Sequence, residues 1–249
     1  MVKFADVEII AHRGASYLAP ENTVAAAQLA WTEGADALEF DIQMTADGQL
    51  AVLHDADTGR VAQTALAANA ATMAELQRLD VGRWKDVRYA GERIPTINEM
   101  LAGVPRGKRV FIEIKGGPDV IPVLGQCLAN SRLEPPQIVL IAFDFKTVCL
   151  TKKFLPQYAA TWILDHPADN RQISSEELIR RTVETGLDGL DLAKDWPIDA
   201  AFVKKIHHAG LKLFVWTVDD PAAARHFASA GVDGITTNRP GWLRTQLAS

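Results

Sequence analysis

The segment Gly34-Ala35-Asp36-Ala37-Leu38-Glu39-Phe40-Asp41-Ile42 sets a glycine, one apolar residue and an aspartate ahead of an apolar run that carries two carboxylates. The same opening returns as Gly186-Leu187-Asp188-Gly189-Leu190 and as Gly231-Val232-Asp233-Gly234-Ile235. Glycine at the end of a helix takes the left-handed conformation that stops it, and the chain then turns into a strand. The echo marks helix-to-strand junctions and is structural, not catalytic. Outward from it, nearly all-apolar strand candidates fall at residues 7–11, 36–42, 109–114, 137–142, 158–164, 188–192, 211–216 and 232–236. Runs apolar on both faces suit parallel strands covered by helices, and helical stretches at 24–33, 175–185 and 221–230 lie between them. Eight β units alternating with helices predict an α/β chain folded as a (β/α)8 barrel, a single domain over residues 1–249. A doubly wound open sheet is the rival, but no Gly-rich nucleotide turn follows the first strand.

Two departures from regular alternation follow Asp41. Asp47-Gly48 is a hairpin signal. A two-residue loop there pairs Ala46 with Gln49 and places Asp41 opposite His54, whereas a bulged turn shifts the register by one. The second is the segment at about 56–95, too long for an ordinary loop, with a capping-box pattern at Thr72-Met73-Ala74-Glu75 that predicts a short helix. It is read as a small cap inserted after the second barrel strand, over the barrel end that carries His54, where it shapes substrate access. A packing excursion is the duller alternative.

Barrel active sites lie at the C-terminal ends of the strands. Here those ends carry His12 and Arg13, then Glu39 and Asp41, then Glu113 and Lys115, with His54-Asp55 closing the hairpin arm. Alternation puts Glu39 and Asp41 on one face, and likewise Glu113 and Lys115. Three carboxylates in an apolar barrel repel one another unless a cation neutralises them. All-oxygen ligands favour Mg2+, Ca2+ or Mn2+ over zinc, leaving His12 and His54 for proton transfer. Arg13 and Lys115 suit an anion beside the metal, so the set points to metal-assisted phosphoester cleavage. The bland reading is an internal ion-pair layer of Glu39 and Asp41 with Arg13 and Lys115. Four loaded strand ends in a row argue against it, because burying that many charges costs free energy without a ligand. Phe143 and Trp216 end strands and line the walls or fill the core. His207, His208 and His226 read as surface residues. Asp165, His166, Asp191 and Lys194 follow strand ends on the correct side of the barrel without a spacing that demands a role.

Composition bounds the partners. A net charge of -5 with no Lys/Arg cluster gives no basic stripe for nucleic acid. No apolar run approaches the ~20 residues of a membrane helix, so no stable membrane association is expected. Two cysteines, Cys127 and Cys149, without a framework suit free thiols in a reducing compartment. With the first strand starting a few residues after Met1, there is no room for a signal peptide, and a cytoplasmic location is expected. Nothing in the composition specifies an oligomeric state.

Taken in order, His12-Arg13-Gly14, Pro20-Glu21-Asn22-Thr23, Glu39-Phe40-Asp41, His54-Asp55, Gly91-Glu92-Arg93-Ile94-Pro95-Thr96, Glu113-Ile114-Lys115, Val215-Trp216-Thr217-Val218 and Gly231-Val232-Asp233-Gly234-Ile235 resemble the glycerophosphodiester phosphodiesterase family almost end to end. The resemblance implies a divalent-metal-dependent hydrolase that splits small glycerophosphodiesters into sn-glycerol 3-phosphate and an alcohol. It matches His12 and His54 to an acid/base pair, Glu39, Asp41 and Glu113 to metal ligands, and Arg13 and Lys115 to phosphate contacts. Phe143 and Trp216 match positions near the glycerol or leaving alcohol. The chain departs with Ala142 before Phe143 and with Asn238, where serine and aspartate are usual. Rival readings are a lysophospholipase D or sphingomyelinase D-like enzyme, which needs an apolar route for acyl chains, and a catalytically silent binding member of the family.

Overall fold

The computed structural model describes residues 7–165 and 173–248. Nine strands form: β1 (Glu8–His12), β2 (Ala37–Met44), β3 (Leu50–Val52), β4 (Arg109–Ile114), β5 (Ile138–Ala142), β6 (Ala159–Leu164), β7 (Gly189–Ala193), β8 (Lys212–Trp216) and β9 (Gly234–Thr237). All but β3 pair in parallel in the order β1-β9-β8-β7-β6-β5-β4-β2, and β2 pairs back onto β1, so eight strands close a barrel. Helices α1 (Val24–Thr32), α2 (Met73–Leu76), α3 (Ile97–Ala102), α4 (Ile121–Ala129), α5 (Phe145–Phe154), α6 (Ser175–Glu184), α7 (Ala200–His208), α8 (Pro221–Ala230) and α9 (Pro240–Ala248) punctuate the strands. This is the (β/α)8 barrel that the apolar runs predict.

Alternation sorts each strand into two cores. Ile9, Ala11, Leu38, Phe40, Ile42, Ile112 and Ile114 face outward under the helices, while Ile10, Ala37, Phe111, Ile141, Ile163 and Phe214 fill the barrel. Phe111 and Phe214 meet edge to face inside it at 5.0 Å between ring centroids. His12, Glu39, Asp41 and Glu113 continue the inward series and emerge at the C-terminal ends.

The Gly-X-Asp echo stitches the opposite end. Asp188 donates its N–H to Ala160 O at 2.9 Å, its Oδ2 accepts from Ala160 N at 2.8 Å, and its carbonyl accepts from Lys212 N at 2.9 Å. Asp233 does the same to Leu213 (2.8 and 2.9 Å) and Glu8 (3.0 Å), and Asp36 to Ile9 (2.9 and 3.0 Å) and Arg109 (3.3 Å). Each aspartate thus joins three adjacent strands where their ladder begins. Gly231 ends α8 in the left-handed conformation (φ 93°), as the echo requires.

One expectation is corrected. Ile42 pairs with Val52 and Met44 with Leu50, so Asp41 stands opposite Leu53, whose N–H it accepts at 3.1 Å, and not opposite His54. Gly48 in the left-handed region (φ 74°) adds a residue to the turn, and Thr45 pairs with Gln49 at 2.9 Å. Thr45 Oγ1 holds that turn by donating to Asp47 Oδ1 and accepting from Gln49 N.

After β3 the chain makes its excursion and returns where Pro95 O accepts from Val52 N at 2.8 Å. The excursion has its own apolar centre of Leu53, Val61, Ala68, Met73, Leu76, Val81 and Ile94. The Thr72 capping box starts α2 as its sequence predicts. Cys127 and Cys149 are free thiols on α4 and α5. Among the described residues no helix is long and apolar enough to cross a membrane.

The stitching makes a prediction. Asp188→Ala leaves the Ala160 N–H without its carboxylate, which should lower unfolding free energy by about 1–3 kcal/mol. Urea denaturation checks this; an unchanged midpoint would show that the carboxylate adds nothing to the ladder.

Candidate active site

His12, Arg13, Glu39, His54, Glu113, Lys115, Phe143 and Trp216 line one cavity of about 220 Å³ at the C-terminal end of the barrel. Asp41, fully buried, contacts it through Arg13 and Lys115. The register explains the gathering: His12 is beside Glu39 on the β1–β2 ladder and Asp41 beside Glu113 on β2–β4. Asp165 and Asp191 also line the cavity. Lys194 is exposed and takes no part in the lining, and His166 lies outside the described residues. His207, His208 and His226 are exposed on α7 and α8.

Glu39, Asp41 and Glu113 are all buried and each offers an oxygen within 4.8 Å of the others. Burial, then the charges of Asp41 and Glu113, push the Glu39 carboxyl well above the usual carboxylate range. Burial and Asp41 push Glu113 up to about 7. Asp41 goes the other way: against its burial, Lys115 and Arg13 hold it low, from 3.3 Å each. Lys115 Nζ also lies 2.5 Å from Glu113 Oε1. Two cations against three carboxylates leave a deficit, and Glu39 Oε1 is buried with no hydrogen-bond partner. A hard divalent cation fits that donor set, since it accepts several oxygens and supplies the missing charge.

The scaffold for these groups includes strain. Arg13 (φ 55°) and Asn22 (φ 58°) both occupy the left-handed region, at roughly 1–3 kcal/mol each for residues with a Cβ. The Arg13 conformation points its N–H at Glu39 Oε2 (2.8 Å), and the Arg13 carbonyl accepts from Asn22 N at 3.0 Å. Asn22 then clamps Asp41, donating Nδ2–H to Oδ2 at 2.8 Å and accepting from Asp41 N at 3.3 Å.

The two histidines have different partners. Asn238 donates Nδ2–H to Asp219 Oδ2 at 2.6 Å, and its Oδ1 accepts from Ser16 Oγ at 2.9 Å. Facing His12 Nδ1 at 2.7 Å, that oxygen must accept there too, so the proton sits on Nδ1 and Nε2 keeps its lone pair. Burial and the Arg13 charge lower His12 to about 4, so its ring is neutral near pH 7. His54 Nδ1 instead faces the Asp55 carboxylate at 2.7 Å. Asp55 Oδ2 accepts from Arg60 Nε at 2.6 Å, Arg60 grips Glu21 at 2.7 and 2.8 Å, and Glu21 accepts from Arg13 at 2.8 Å. Arg60 therefore ties the carboxylate behind His54 to the one behind Arg13. Neither Arg60 nor Asp219 carries a signal in the sequence, because each acts on a residue distant along the chain. Glu21, Asn22 and Asp55 sit in motifs already quoted, but their contacts are not readable from spacing.

Burial also pushes Asp191 up to about 8, with Glu113 adding to it. The folded chain thus keeps protons on Glu113 and Asp191 at pH values where the unfolded chain, near 4.5 and 3.8, has released them. Stability from these groups is present at low pH and is lost as pH rises through about 7 to 8. His12 acts oppositely below its ordinary 6.5, so the clear window lies above that pH. Chelator-treated protein should lose melting temperature from pH 6.5 to 8, and Glu113→Gln should flatten the slope. Mg2+ should restore more stability at the high end, since the site binds it after releasing protons. Melting curves that rise with pH across this window would contradict the assignment.

The family model of the glycerophosphoryl diester phosphodiesterase family matches residues 12–242. The chain is 31% identical over 236 residues to a glycerophosphodiester phosphodiesterase of Caldanaerobacter subterraneus subsp. tengcongensis, covering 93% of this chain and 94% of that one. It is 28% identical to one of Bacillus subtilis, covering 93% and 83%. An Oleispira antarctica phosphodiesterase solved with the product sn-glycerol-3-phosphate superposes with a TM-score of 0.88 at 26% identity, covering 97% of each chain. The chain belongs to the glycerophosphoryl diester phosphodiesterase family and is a phosphoric diester hydrolase built on a (β/α)8 barrel.

Proposed function

We propose that this chain hydrolyses small glycerophosphodiesters to sn-glycerol 3-phosphate and an alcohol, with two histidines moving the protons. The observation that carries the reading is one cavity in which three buried carboxylates sit beside two histidines and two cations. Glu39, Asp41 and Glu113 would hold Mg2+ or Ca2+, with Mn2+ as a further candidate. When bound, the ion supplies positive charge that stabilises the phosphate in the transition state.

The remaining chemistry belongs to the chain. Arg13 and Lys115 bind the non-bridging phosphate oxygens and orient the diester. His12, neutral with its Nε2 lone pair available, takes the proton from the attacking oxygen, which is water or the glyceryl 2-hydroxyl. His54, its Nδ1 held by the Asp55 carboxylate, gives a proton to the departing alcohol oxygen as the P–O bond breaks. In the 2-hydroxyl route water then opens the cyclic phosphate with the same two groups in reversed roles. Trp84 is 43% exposed on the excursion, and its neighbour Lys85 donates to Ser16 O at 2.6 Å, which ties the excursion to the loop after β1. This supports reading residues 56–95 as a cap over this end of the barrel.

Removing the acid should slow glycerol diesters by ~10²-fold to 10⁴-fold and barely affect a nitrophenyl ester, whose leaving group needs no proton. His54→Ala is therefore expected to recover near-parent rates on the nitrophenyl ester, while His12→Ala stays slow on both substrates. The reverse pattern would exchange the roles, and equal rescue of both would refute a paired mechanism. Full turnover in excess chelator would refute the metal.

For the cap, Trp84→Ala together with Lys85→Ala should alter the ranking of choline, ethanolamine and glycerol head groups in kcat/KM while leaving the melting temperature near that of the parent. An unchanged ranking would make the excursion packing alone.

A further inference from the structure

We propose that Asp191 selects the glyceryl group of the substrate, by hydrogen bonding one of its hydroxyls at the inner end of the cavity. The inference rests on the hydrolytic reading above and names a residue that the proton and phosphate chemistry does not use.

The cavity has two unlike halves. On the β1, β2 and β4 side it is charged, with His12, Arg13, Glu39, Glu113 and Lys115. On the β5, β6 and β8 side it is mostly apolar, built from Ile141, Phe143, Ile163 and Trp216, with Asp165 following β6 at the strand end. Phe143 and Trp216 close edge to face at 5.4 Å, so aromatic surface faces the substrate's carbon chain. Asp191 stands deeper, among these apolar side chains. On β7 it stands beside Ile163 on one neighbour and Phe214 on the other, one inward position deeper than Trp216. It is 3% exposed, and its Oδ1 is buried without a hydrogen-bond partner.

A carboxyl in such a place lacks the cation that a structural ion pair would supply. Asp36, Asp188 and Asp233, on neighbouring barrel segments, each have a basic partner and backbone donors. Asp191 has neither among the described residues. Its burial pushes it up to about 8, so near neutrality it stands as a carboxylic acid that both donates and accepts. That matches an alcohol hydroxyl, which also does both. With the phosphate fixed on the charged side, the part of the diester common to all substrates fits the inner end, and the variable alcohol points to the open mouth through which it departs. A buried polar group of this kind discriminates strongly, because a ligand lacking the hydroxyl leaves it unpaired.

The test uses metal-loaded parent, Asp191→Leu and the isosteric Asp191→Asn, with affinities measured by calorimetry for sn-glycerol 3-phosphate, propyl phosphate and inorganic phosphate. The parent should prefer sn-glycerol 3-phosphate to propyl phosphate. The leucine variant should lose that preference by roughly 5- to 30-fold, about 1–2 kcal/mol for one hydrogen bond, with phosphate affinity unchanged. Asparagine should keep part of it. A leucine variant with the parent's ratio, or a parent with no preference, overturns the proposal. Glycerol 3-phosphate release by the parent is assayed in parallel: its absence would defeat the hydrolytic reading, whereas its presence with an unchanged ratio would defeat this inference alone.

Discussion

The repulsion among Glu39, Asp41 and Glu113, held buried within 4.8 Å of one another, is the constraint around which this molecule is arranged. Each ion taken out of water costs several kcal/mol, and their mutual repulsion adds to that. The chain meets part of the demand with Arg13 and Lys115, and part with the Asn22 clamp and the Arg13 backbone N–H, while burial and mutual repulsion still push the Glu39 and Glu113 carboxyls up. The unmet remainder is a charge deficit that a hard divalent cation would fit. A cluster satisfied by its own protein would have little reason to bind one.

Such a cluster persists only on a stiff support. The closed ladder of parallel strands leaves no edge, and the aspartates of the Gly-X-Asp echo tie adjacent strands together at the end remote from the chemistry. Stability is concentrated at one end of the barrel and unfavourable charge at the other. Left-handed backbone at Arg13 and Asn22 belongs to the same economy: both residues contact the carboxylates, and their conformations aim the needed N–H groups. The excursion after His54 adds Arg60, which links Asp55 to Glu21, so the two histidine-bearing strand ends are positioned through one guanidinium.

The neutral Asn238 beside His12 also has mechanistic weight. An amide oxygen fixes the His12 tautomer without adding charge, whereas His54 Nδ1 faces the Asp55 carboxylate. Two chemically identical side chains are thereby given unequal partners, as the proposed acid and base roles require.

The barrel was legible in the sequence because strands buried on both faces must be apolar along their length, and Gly-X-Asp marks where helices give way to them. The strand-end groups were legible because alternation is set by backbone geometry alone: Glu39 and Asp41, two apart, cannot face opposite sides. The hairpin register was not, since whether Gly48 adds a residue to its turn depends on hydrogen bonds made by Thr45 and Asp47. Nor was the ring through Arg60, whose partners are distant in sequence, or the isolation of Asp191, because an aspartate in an apolar strand reads the same whether a cation or a cavity stands before it. Sequence by itself determined which groups reach the mouth of the barrel, through periodicity along each strand. Only the tertiary structure decided which of them are paired and which remain unsatisfied, because pairing is set by distances across strands that no spacing along the chain encodes.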